Sequence, residues 1–114
     1  MRTLAQFIAG VVFAAIAGAS SAHPNHGDGP PIGKEQVPAL GDRAVMLLVE
    51  AKQLPQSWRG RPVKEVSSRE TPVGPVWVVS YENPGEPDRA KRTVYLFFDE
   101  FGNFIGGNHS GKLQ

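Results

Sequence analysis

The chain has 114 residues, of which 40% are apolar and 20% are charged, and it contains no cysteine. This composition permits a folded core but excludes a disulfide, a thiolate metal site and a cysteine nucleophile. The twelve lysine and arginine residues nearly balance the eleven aspartate and glutamate residues, which argues against a protein that binds nucleic acid or an anionic membrane.

The first 22 residues have the three parts of a secretory signal. Arg2 supplies the positive charge, an apolar run extends from Phe7 to Ala17, and small residues follow as far as Ala22. The whole apolar stretch, Leu4 to Ala19, is shorter than the roughly 20 residues that a membrane-spanning helix needs. We therefore predict cleavage after Ala22, with cleavage after Ala19 as the alternative, export to a bacterial periplasm, and no membrane span in the mature chain.

A polar segment, residues 23–31, would then form the mature amino terminus. It has three prolines, two glycines and no apolar side chain, a composition that predicts a flexible tail. The free α-amine and the imidazole Nδ1 of His23 would chelate Cu(II), and His26 or Asp28 could add a third ligand. The alternative interpretation is that both histidines are solvated and bind nothing. Cleavage after Ala19 would place His23 inside the tail, so that the chelate with a free α-amine could not form.

One amphipathic helix is predicted next, because apolar residues recur at spacings of three and four. Pro38 places its start at about Val37, and Pro55 ends it at Leu54. The apolar stripe consists of Val37, Leu40, Ala44, Leu47, Leu48, Ala51 and Leu54. The charged residues between them are interpreted as a solvated face.

Four strands follow the helix, separated by turns rich in proline and glycine. Their predicted ranges are Pro62 to Glu70, Val76 to Glu82, Arg92 to Asp99 and Phe104 to Asn108. One helix followed by about four antiparallel strands predicts an α+β fold, with the helix packed on one face of a small sheet. Residues 32–114 are expected to form this single domain.

The third strand is apolar on both faces, since Tyr95 and Phe97 alternate with Val94, Leu96 and Phe98. One helix cannot cover both faces of the sheet. Either the tail and the loop that contains Trp58 fold over the second face, or a partner or second copy of the chain covers it. Trp77, Tyr95 and Phe97 are the candidate residues of this interaction surface.

Sequence signatures of enzymes are missing. No glycine-rich phosphate loop, G-x-S-x-G elbow or H-E-x-x-H pair is found. Two of the three histidines are in the tail, and the third, His109, is expected to be a solvent-exposed histidine. Arg59 and Arg61 are interpreted as solubilising residues in a loop. We therefore expect a protein that is not an enzyme.

Several short segments resemble a family of small exported proteobacterial proteins of unknown function. They are Leu54-Pro55 with Ser57-Trp58, Trp77-Val78-Val79-x-Tyr81-x-Asn83-Pro84, and Lys91-Arg92-Thr93-x-Tyr95-x-Phe97 with Gly102 and Asn108. This resemblance implies a histidine-containing mature amino terminus and a role in metal handling. The turn Asp99-x-x-Gly102 is also similar to that of PepSY-type domains, which implies a module that inhibits or modulates another envelope protein without metal.

Overall fold

A computed structural model describes residues 30–113. The predicted signal and most of the predicted tail, residues 1–29, lie outside the described residues. The described helix is α1 (Val37–Glu50), preceded by a 3-10 turn at Lys34–Gln36 and followed by another at Gln56–Trp58. The strands are β1 (Val63–Thr71), β2 (Gly74–Glu82), β3 (Thr93–Asp99) and β4 (Phe104–Asn108), with a 3-10 turn at Arg89–Lys91 before β3.

The four strands form one antiparallel sheet whose spatial order is the chain order, β1-β2-β3-β4. The predicted α+β fold is therefore confirmed. Between residues 30 and 113, no helix is long and apolar enough to cross a membrane.

The helix ends four residues before the predicted position. Lys52 has a left-handed backbone (φ +65°), and the amides of Lys52 and Gln53 donate to the carbonyls of Val49 and Leu48 at 3.0 and 2.9 Å. These two bonds form a Schellman cap, here with lysine at the position that usually holds glycine. The cap turns the chain so that Leu54 returns to the core, where it is buried.

The buried face of α1 differs in part from the predicted stripe. Val37, Ala44 and Leu48 are buried as expected, whereas Leu47 is 39% exposed and Ala51 is exposed. Val45 and Val49 take their place in the core. The buried face of the helix is therefore rotated slightly from the predicted one, toward Val45 and Val49 and away from Leu47.

The main core lies between α1 and the sheet. Its largest side chains are Trp58, Tyr81 and Phe98, each at most 2% exposed. Trp58 reaches this core from the short turn after the helix. The loop that contains Trp58 therefore closes the helix side of the sheet and not the second face.

The turn between β3 and β4 is held by one carboxylate. Oδ1 of Asp99 accepts hydrogen bonds from the amides of Phe101 and Asn103, both at 2.9 Å, and Oδ2 accepts from the Asn103 side chain at 3.0 Å. Gly102 supplies the left-handed residue of the turn (φ +92°). The Asp99-x-x-Gly102 pattern is thus explained by the local geometry of a hairpin.

Candidate functional site

The predicted metal ligands His23, His26 and Asp28 lie outside the described residues. Within residues 30–113, no group of three or more histidine, cysteine, aspartate or glutamate side chains could hold a metal ion. Metal binding therefore stays a prediction that depends on the sequence of the amino terminus.

The second face of the sheet carries a small apolar cluster. Phe97, Val76 and Val78 are buried there, and Tyr95 packs against them. Trp77 lies on the opposite face, since it pairs with Phe98 and packs against the main core. The structure thus brings Tyr95 and Phe97 together, as expected, but does not place Trp77 beside them.

Residues Ser110 to Leu113, which we call the strap, cover part of this cluster. Leu113 packs on it, and Gly111 lies so close to Tyr95 that a Cβ on Gly111 would be 3.1 Å from ring atoms. Gly111 also has a left-handed backbone (φ +78°). A glycine is therefore required at this position for both conformation and space.

Three hydrogen bonds attach the strap to Arg69 and Asn108, and a fourth lies within the strap. Nη1 of Arg69 donates to the Gly111 carbonyl at 2.6 Å. The Asn108 side chain accepts from the Gly111 amide at 2.7 Å and donates to the Lys112 carbonyl at 2.9 Å. The Lys112 amide also donates to Oγ of Ser110 at 3.2 Å. Among the described residues, the second face is covered in part by the strap and not by the loop that contains Trp58.

His109 is not the exposed residue that was expected, because it is half-buried directly before the strap. Its Nδ1 lies 2.9 Å from the Thr93 carbonyl oxygen, which can only accept a hydrogen bond. Burial lowers the pKa of His109 below the usual 6.5 and outweighs the bond to Thr93, which raises the pKa. Nearby Lys91 lowers the pKa as well, while Glu86 and Asp88 raise it.

This lowered pKa predicts a contribution of His109 to acid sensitivity. Because the folded state disfavours the charged imidazole, the unfolded state binds more protons as the pH falls through the usual pKa, and stability decreases. We expect the His109→Gln variant to lose less stability than the native chain between about pH 7.5 and 5.5. Urea unfolding at the two pH values measures the difference, and an identical pH dependence in both proteins would contradict the assignment.

A second candidate site lies between α1 and the segment that follows Trp58. This cleft has a volume of about 650 Å³, and Arg43, Arg59 and Arg61 line it together with Asp42 and Met46. We call it the arginine cleft. Its lining also includes Val45, Gly60 and Pro62, so the cleft combines apolar surface with three guanidinium groups.

The carboxylate of the arginine cleft has a partner in the core. Oη of Tyr81, which is fully buried, donates to Oδ1 of Asp42 at 2.8 Å. Burial, reinforced by the bond to Asp42, raises the pKa of Tyr81. Tyr81 therefore stays a neutral hydrogen-bond donor at any physiological pH.

With the other residues in the range 30–113, the arginines of the cleft form no ion pair. Nη1 of Arg61 donates to the Asn83 side chain at 3.1 Å, and Nε of Arg59 donates to the Gln56 side chain at 3.2 Å. Among the described residues, the one salt bridge joins Lys64 to Glu82. Asp42 offsets one of the three positive charges of the lining, so the cleft keeps a net positive charge.

The arginine cleft is not apparent from the sequence. Arg43 lies on a predicted solvated helix face, and Arg59 and Arg61 lie in a predicted solubilising loop. They become neighbours only because the chain reverses after Leu54 and buries Trp58. The one local indication is the alternation Arg59-Gly60-Arg61 directly after a tryptophan.

Comparison with known proteins identifies the family of the chain but no activity. A family model described as a family of unknown function, DUF6488, matches residues 1–112. No curated protein and no solved structure matches the chain.

Proposed function

Because the chain belongs to DUF6488, a family of unknown function, we propose a function from its own residues. In this proposal it is an exported periplasmic protein, not an enzyme, that binds copper or a similar divalent metal through its mature amino terminus. The observation that carries the proposal is the position of His23, directly after the predicted cleavage site and followed closely by His26 and Asp28.

The chemistry of these groups favours copper. An α-amine and an imidazole are nitrogen donors, and among divalent first-row metals Cu(II) binds such donors most tightly. Pro24 has no amide hydrogen, so the peptide nitrogen after His23 cannot be deprotonated to serve as a ligand. The proposed site therefore depends on the α-amine, His23 and one or two further side chains.

The contacts of the folded domain support a metal site that lies in the amino-terminal segment and not in the domain. The Ile32 amide donates to the Glu100 carbonyl at 2.9 Å, which fixes the start of the domain beside the β3–β4 turn. The third histidine, His109, belongs to the domain through its contact with Thr93. The proposed metal ligands thus precede the folded domain in the chain.

Copper binding is tested on protein exported by a bacterial host, with native mass spectrometry before and after one equivalent of Cu(II). We expect a mass that begins at His23 and the uptake of one copper ion. His23→Ala, or one extra residue before His23, should weaken binding on the order of tenfold or more, because each change disrupts the two-nitrogen chelate.

His109→Gln is the matched control, since it removes a histidine from the domain and should leave copper affinity unchanged. Equal affinity in the native chain and in both amino-terminal variants would refute the proposal. The proposal would also be refuted if the exported chain began at another residue and bound copper as tightly as a chain that begins at His23.

A metal-independent interaction or inhibitor module, as in PepSY-type domains, is the second candidate function. At Tyr95 and Phe97, a partner or second copy would compete with Leu113, which already packs on this cluster. The arginine cleft involves no such competition, since Met46 is 44% exposed there. The observation that favours this candidate is therefore the open and positively charged cleft on the helix side.

A further inference from the structure

We propose that the arginine cleft is a docking site for an acidic peptide segment that carries at least one apolar side chain. The proposal is independent of copper binding. It gives the second candidate function a location, a ligand class and a set of residues.

The shape of the cleft favours a side chain that enters it. It encloses about 650 Å³ beside Val45 and Met46. Met46 and its neighbour Leu47 are among the few large apolar residues of the described chain that remain substantially exposed, at 44% and 39%. A methionine at the edge of a cleft adapts its flexible thioether chain to the surface of an apolar ligand.

The charge of the cleft favours a carboxylate ligand. Arg43, Arg59 and Arg61 are opposed in the lining by Asp42 alone, and Asp42 already accepts the hydrogen bond from Tyr81. An adjoining hollow of about 510 Å³ shares Arg59 and adds one further charge of each sign, Lys52 and Glu50. The excess of two positive charges in this region contrasts with a net charge of only +1 for the whole chain.

One arginine is held in position before any ligand binds. Arg61 donates to the Asn83 side chain, which is 2% exposed and itself donates to Oγ of Ser57 at 2.9 Å. A guanidinium group with a fixed orientation binds a carboxylate with little loss of conformational freedom. Arg43 and Arg59 are exposed, and their guanidinium groups can form charge-assisted hydrogen bonds with the carboxylates of a ligand.

The mixed lining of the cleft favours a peptide over a bilayer surface. Val45 and Met46 lie beside the three arginines, and an extended peptide can match both by placing one apolar side chain between its carboxylates. We therefore assign the cleft to an acidic peptide segment and make an anionic membrane one outcome of the test.

The test uses the full exported chain without added metal. A fluorescein-labelled hexapeptide of alternating glutamate and leucine is titrated by fluorescence anisotropy, beside a peptide in which glutamine replaces glutamate. We expect the glutamate peptide to bind with micromolar affinity, which decreases as salt is added. The glutamine peptide should bind more weakly by on the order of tenfold or more. The double variant Arg43→Gln with Arg59→Gln should lose affinity on the order of tenfold or more, and Met46→Ser a few-fold.

Lys34→Gln with Arg89→Gln is the matched control, because it removes the same charge from exposed residues that do not line the cleft. This control should bind the glutamate peptide as the native chain does. The proposal is overturned if the two peptides bind equally, if neither binds, or if the control and the cleft variant lose affinity to the same extent. It is also overturned if the native chain binds phosphatidylglycerol vesicles through Arg43 and Arg59 but not the peptide.

Discussion

Replacement of Trp58 by alanine is expected to remove a large part of the stability of the protein. Trp58 is 1% exposed and belongs to the main core, and truncation of a buried tryptophan costs about 3 to 5 kcal/mol. The unfolding free energy of a folded part of this size is roughly 4 to 13 kcal/mol in total. We therefore expect the midpoint of thermal unfolding, followed by circular dichroism, to fall by about 15 °C or more.

Trp77→Ala is the comparison for this variant, because Trp77 is only half-buried at the rim of the same core. It removes the same side chain with less buried surface, so it should lower the midpoint less. Val73→Ala, at a residue that is 91% exposed, should leave the midpoint unchanged. Equal midpoints for Trp58→Ala and the native chain would show that Trp58 does not hold the turn against the core.

Gly41→Ala is expected to destabilise the protein although alanine favours a helix more than glycine does. In an exposed helix this change contributes about 1 kcal/mol of stability. Here a Cβ on residue 41 would lie 2.6 Å from Oη of Tyr81 and 3.0 Å from a methyl group of Val79. Overpacking of this kind costs about 1 to 3 kcal/mol, so after the gain in helix propensity we expect a net loss of up to about 2 kcal/mol in urea unfolding.

A double-mutant cycle with Tyr81→Phe isolates the cause. The phenylalanine lacks the hydroxyl group that would collide with the new Cβ, so Gly41→Ala should cost less in the Tyr81→Phe background. The contact with Val79 remains, and the rescue should be partial. An equal cost of Gly41→Ala in both backgrounds would contradict the close approach of helix and tyrosine.

The regular elements were predictable because their patterns are local. The spacing of apolar residues gave α1, and runs of β-branched and aromatic residues gave β2 and β3. The end of the helix was wrong by four residues, since Lys52 adopts a backbone conformation for which lysine gives no indication. The alternation of Tyr95 and Phe97 with Leu96 was predicted, because side chains in a strand point to opposite faces in turn.

The cover of the second face and the arginine cleft were not predictable from local patterns. The strap contains one apolar residue, Leu113, and has no periodicity that marks it as a packing element. The cleft depends on contacts between a helix and a loop, and its arginines resemble ordinary surface charges when they are considered one by one. Both features exist only after distant parts of the chain have come together.

The agreement between strand order and chain order has a consequence for the kinetics of folding. Each strand pairs with the next one along the chain, so the sheet can assemble one hairpin at a time, with short loops to close. By contrast, the bond between Tyr81 and Asp42 spans 39 residues, and that between Arg69 and Gly111 spans 42. We therefore expect helix docking and strap closure to be late steps, so that substitutions there accelerate unfolding more than they slow folding.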